Sequence, residues 1–154
     1  MIRLVVTGVV SSVAVAAMAA ACAKAEGHSP WKPINAISHI AWGPRAAART
    51  RFSWRYTGLG LLLNVVACGF WAWVYQPGRR SSEGPGSPGA SAGRSLLVSA
   101  VAYVTDYHVV PSRFTPGFEL TLSRRQFPWL YGALAAGLLA PDLLARGRLA
   151  RRLS

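Results

Sequence analysis

Long gaps between charged residues constrain this chain more than anything else in it. Between Arg3 and Lys24 lie 20 uncharged residues (4–23), which at 1.5 Å per residue form a helix of about 30 Å, the hydrocarbon thickness of a bilayer. Between Arg55 and Arg79 lie 23 more, rich in Leu and Val, with Tyr56 at one end and Trp73 and Tyr75 at the other. Aromatics so placed match the two belts of a membrane interface. Between Arg125 and Arg146 lie 20 residues broken only by Asp142, with Trp129 and Tyr131 near the start and Arg146, Arg148, Arg151 and Arg152 at the end. Spans are therefore predicted over 4–23, 57–77 and 126–145. A fourth is predicted over 95–110, although its apolar part, 96–104, is short and runs into Asp106 and His108. A helix screened by three neighbours tolerates polar side chains that face the bundle.

Composition agrees. The 154 residues are 52% hydrophobic and only 14% charged, with a net charge of +12, too apolar for a disordered basic tail. Two cysteines, Cys22 and Cys68, sit in apolar runs and cannot frame a disulfide scaffold. The Arg residues are spread over every connection and flank the apolar runs, where anionic headgroups explain them better than nucleic acid. The expected fold is all-α: one integral membrane domain, a four-helix bundle with a short interfacial helix between spans one and two. Basic residues number eight on the side of the termini and nine on the other, so charge does not set the orientation. The first span also resembles a signal peptide ending near Cys22. Against cleavage, Gly8, Ser12, Ala16 and Ala20 form a small-residue stripe of the kind that lets transmembrane helices approach closely.

The connections differ in kind. Residues 78–94 are Gly, Ser and Pro with few apolar groups and read as a flexible loop. Residues 34–43 hold Ile34, Ile37 and Ala41 on one helical face, with Asn35 as a cap and Gly43-Pro44 as a stop; they predict the interfacial helix, lying on the bilayer or tucked against the bundle. Ser123 and Gln126 have the spacing of a capping box opening the last span, and Pro116-Gly117 signals a turn before it.

In two blocks, PINAISHIAWG (33–43) and DYHVVPSRFTPGFELTLS (106–123), the chain resembles small, uncharacterised bacterial inner-membrane proteins with about four predicted spans. That resemblance implies a multi-pass location in the inner membrane. It implies no activity and no catalytic residues.

Asp106 is the leading candidate for chemistry, because an ionisable group inside an apolar run is costly in lipid and is retained for a pathway, a relay or a pairing. Arg113 is its expected partner. His108, two residues on, lies about 200° around a helix from Asp106 and so faces elsewhere. His39 and Glu119 complete a set of two His and two carboxylates that could meet at a metal, and two His from different segments could ligate a haem. No HxxxH, ExxH or CxxC spacing supports either, so no cofactor is expected. Asn35 belongs to the same polar group; Asn64 reads as interhelical glue and Asp142 as solvated. The leading expectation is a non-enzymatic component that packs with itself or a membrane partner against anionic lipid. A transport or proton-relay unit built on Asp106 with His108 or His39 is the alternative, and a metal or haem protein the third.

Overall fold

The computed structural model describes residues 1–76 and 87–153, and among these the secondary structure is helical throughout, with no strand. The elements are α1 (Ile2–Ala25), two short helices α2 (Trp31–Ile37) and α3 (His39–Trp42), then α4 (Leu59–Tyr75), α5 (Pro88–Val104) and α6 (Phe127–Leu153). Three helical stretches, Ile2–Ala25, Trp54–Tyr75 and Arg124–Gly147, are long and apolar enough to cross a membrane. The segment predicted as span three is not among them: α5 has 17 residues of α helix, about 25 Å, before widening into a π turn over Thr105–Val109.

Small residues set the packing. On α1, Gly8 lies against Gly69 of α4, and four residues on the Asn64 amide donates to the Ser12 carbonyl at 2.9 Å and to Ser12 Oγ at 2.8 Å. On its other side, Ser11 lies against Gly137 of α6. α1 is thus flanked by α4 and α6, and both neighbours run antiparallel to it. Side-chain bonds Ser99 to the Tyr131 carbonyl and Arg146 to Ser91 hold α5 antiparallel to α6. Consequently α1 and α5 end where α4 and α6 begin, and the intervening segments gather at that end.

The interior combines an apolar core, with Val15, Trp71, Leu130, Leu134 and Leu138, and buried polar side chains, while the outer faces of the long helices are apolar as well. Ser11, Ser12, Asn64, Ser95 and Ser99 are buried, whereas Val5, Val9, Val13, Leu62, Val66, Phe70, Leu96, Leu97 and Leu144 are exposed. Cys22 and Cys68 are buried and free.

Several expectations need correction. The loop expected over 78–94 stops earlier, because Pro88 sits at the start of α5 with Ser87 as its N-cap, Oγ accepting from the Ala90 amide; Pro at the first position and Ala and Ser behind it suit a helix start. The rest of that loop, 78–86, lies outside the described residues. Asn35 caps nothing: α2 starts four residues earlier, at Trp31, with no side-chain cap. No capping box forms between Ser123 and Gln126. Tyr75 and Tyr131 turn inward, Tyr75 with 2% exposure, whereas their neighbours Trp73 and Trp129 face outward.

Candidate functional site

At the end where α4 and α6 begin, the chain leaves α5 through the π turn Thr105–Val109. A π turn is a local widening often found where side chains must be re-aimed. Here it directs Asp106 toward α6, where Tyr131 Oη donates to Asp106 Oδ2 at 2.7 Å. Asp106 also lines a cavity of about 50 Å3 together with Asn64, Cys68 and Trp71 of α4. Tyr107 also faces α6, stacking on Phe127 with ring centroids 4.8 Å apart at 15° and packing edge-on against Tyr131 at 6.2 Å.

Glu119 enters from the following loop. Gly117 adopts φ +86°, and a Cβ there would meet the Ala36 carbonyl oxygen at 2.6 Å and His39 Nδ1 at 2.9 Å. Only glycine therefore lets the loop close on α2 and α3. The next turn, Phe118–Leu120, presents Glu119, whose Oε1 accepts from Thr115 Oγ1. Glu119 Oε2 and Tyr107 Oη are both buried, and Glu119 lies near enough to Asp106 and Tyr107 to interact with both. Two carboxylates thus lie near one another beside Tyr107 and Tyr131.

The cation expected beside Asp106 is elsewhere. Arg113 is exposed, in the turn Ser112–Phe114 beyond Pro111, and makes no ion pair with Asp106; Val110 and Pro111 are extended, which carries the chain away before Arg113 can fold back. His108 is exposed and packs edge-on against Tyr103 at 5.7 Å. His39 is 8% exposed; its Nδ1 lies 2.9 Å from the Ala36 carbonyl, which only accepts, so the proton sits on Nδ1. Its Nε2 is buried with no hydrogen-bond partner among the described residues.

Asn35 forms a separate network. It is 0% exposed, its Nδ2 donates to the carbonyls of Arg49 and Arg51 at 3.0 Å each, and its Oδ1 accepts from Thr57 Oγ1 at 2.6 Å. Thr57 lies in a second π turn, Trp54–Gly58, leading into α4. One amide therefore ties α2 to the connecting segment and to the start of α4. Gly60 lets α2 sit there, since a Cβ on it would fall 2.1 Å from the Ile34 carbonyl oxygen.

Glu26, not singled out from the sequence, proves structural. It follows the last turn of α1 and accepts from the Ser123 amide at 3.2 Å and from Ser123 Oγ at 2.5 Å, so a carboxylate from one helix satisfies free donors at the start of another. The Ser123 hydroxyl bond, its largest influence, holds this carboxyl below the usual glutamate range. The same contact explains why no capping box forms: Ser123 is already bonded to Glu26. At the opposite end of the molecule Asp142 is not simply solvated. It accepts from Tyr75 Oη at 2.9 Å and lies 4.0 Å from Arg94, whose guanidinium stacks over the Tyr75 ring at 4.6 Å.

Chemically, the Asp106 pocket can hold and share protons between carboxylates and phenols. Among the described residues no group of three or more His, Cys, Asp or Glu could hold a metal ion. His39, Asp106, His108 and Glu119 are thus not brought together as one ligand set. No protein-family model, curated protein or solved structure matches this chain.

Proposed function

We propose that this chain is a multi-pass protein of the bacterial inner membrane, a four-helix bundle that acts by packing and assembly rather than by catalysis. The observation that carries the membrane reading is the apolar outer surface of the long helices. Ser11, Ser12, Asn64, Ser95 and Ser99 lie inside while Val, Leu and Phe cover the outside of α1, α4 and α5. In water so much contiguous apolar surface is a liability. In lipid it costs nothing, and small or hydroxyl residues are what lets helices approach. α5 serves as the fourth span because the π turn lengthens it to residue 109 and Arg94 is paired with Asp142.

The assembly reading is supported by how the polar side chains are used. Asn35, Asn64, Asp106, Glu119 and Asp142 each hydrogen-bond within the chain. The bacterial inner membrane is inferred from the resemblance carried by residues 33–43 and 106–123, and the partners are anionic headgroups and a second copy or another membrane protein. Alkaline carbonate extraction and reporter fusions at both termini test this. The protein is expected in the pellet with both termini on one side. Recovery in the supernatant, or termini on opposite sides, overturns the bundle.

One observation favours a second reading, proton relay: Asp106 has a phenol partner, a neighbouring carboxylate and an adjacent cavity, and no paired cation among the described residues. Asp106→Asn keeps the hydrogen bond and removes the titrating group. A proton flux in liposomes that vanishes in this folded variant would establish the relay.

A further inference from the structure

We infer that the groove between α5 and α6 is a binding site for one anionic phospholipid, its phosphate on Arg124 and its acyl chain along the groove. The inference rests on the membrane reading above. The groove holds about 480 Å3, bounded by Leu96, Ala100 and Tyr103 on α5, by Phe127 and Gly132 on α6, and by Arg124 in the turn that leads into α6. Because the helices are antiparallel, Arg124 and Tyr103 lie at one end and Leu96 and Gly132 at the other. From residue 96 to residue 104 the wall of α5 is about 12 Å long.

Its chemistry is graded in the same sense as a phospholipid. Arg124 begins the span Arg124–Gly147, so it stands at the headgroup level, is exposed and has no acidic partner among the described residues. Arg125 is exposed beside it, and basic pockets between helices at this level suit anionic headgroups. Deeper in, the polar groups are already used: the Ser99 hydroxyl donates to the Tyr131 carbonyl and the Tyr131 hydroxyl to Asp106. The inner part thus offers no free hydrogen bond and suits an alkyl chain. Gly132 leaves the floor open, since a Cβ there meets nothing within 4 Å. A helix from another protein would fill the apolar part but would leave Arg124 without a counter-charge at the mouth.

The test uses full-length protein in detergent, exposed to phosphatidylglycerol or phosphatidylcholine and read by native mass spectrometry. Wild type is expected to retain one phosphatidylglycerol in preference to phosphatidylcholine. Arg124→Gln should reduce that preference about fivefold, the effect of one basic side chain near an anionic surface, and Arg124→Lys should restore most of it. Gly132→Leu grows a side chain into open space, so it should leave the fold intact and abolish retention of both lipids. Equal retention by wild type and Gly132→Leu overturns the groove. So does a Gly132→Leu variant that keeps its lipid but loses self-association, because the face is then an interface between copies. Carbonate extraction of the same membranes separates the two failures: a protein in the pellet with no groove-bound lipid sinks this site alone, whereas one in the supernatant sinks the membrane reading with it.

Discussion

Adding a single methyl group at Gly137 and at Gly132, five residues apart on α6, should have opposite effects. An ideal Cβ on Gly137 falls 2.5 Å from Ser11 Cα, 3.0 Å from its Oγ and 3.1 Å from its Cβ, whereas one on Gly132 meets nothing within 4 Å. Carbon atoms rest at about 3.5–4.0 Å, so Gly137→Ala must push α1 and α6 apart by about 1 Å. Overpacking of this size costs about 1–3 kcal/mol. Both substitutions gain the same helix propensity, about 1 kcal/mol, so the difference between the two variants isolates the clash. Gly132→Ala should therefore be more stable than wild type, and Gly137→Ala less stable than Gly132→Ala by about 1–3 kcal/mol. Ser11→Gly should recover only part of the loss, because the nearest atom is backbone. The assay is reversible unfolding in mixed micelles titrated with dodecyl sulfate, followed by fluorescence of the six Trp. Equal stability of the two Ala variants would refute the close contact between α1 and α6.

Other consequences are smaller in scope. Asn35→Ala removes the donor to the part-buried Arg49 and Arg51 carbonyls and the acceptor of the buried Thr57 hydroxyl, at about 1–3 kcal/mol for that buried hydroxyl; Asn35→Asp should be worse at neutral pH, since it aims a carboxylate at two carbonyls, and the same micelle titration ranks them. Tyr131→Phe removes the donor to Asp106 and should cost about 1–3 kcal/mol, while Asp106→Asn should leave stability nearly unchanged; comparable losses from both would mean that Asp106 serves chiefly as a charge. Because the folded Glu26 carboxyl titrates below its ordinary range, its contribution is present above that range and is lost as pH falls through its lowered value. Thermal unfolding should show this acid-side loss in wild type and not in Glu26→Gln.

Charge-free runs announced the long helices, because a missing charge is a property of the chain itself and lipid-length helices need no tertiary partner to be recognised. The Gly43 stop was legible for a similar reason: its φ of +69° and its amide bond to the His39 carbonyl are local. The start of α5 at Pro88 was legible in principle from Ser87-Pro88, but the Gly-Ser-Pro composition on either side concealed it. The site residues were only half visible. Asp106, Glu119, His39 and Asn35 stand out as polar groups in apolar surroundings, yet their partners, Tyr131, Thr115, the Ala36 carbonyl and Thr57, are ordinary residues that carry no signal until they are placed. Arg113 looked like the partner of Asp106 because it is near in sequence, and Glu26 carried no signal although it joins Ser123, 97 positions away. Which helix faces which, which tyrosines turn inward and which arginine stands at the mouth of a groove depend on contacts between distant segments. Only the tertiary structure decides them, since they follow from close approaches at Gly8, Gly60, Gly117 and Gly137, where the absence of a side chain has meaning only once its neighbour is known.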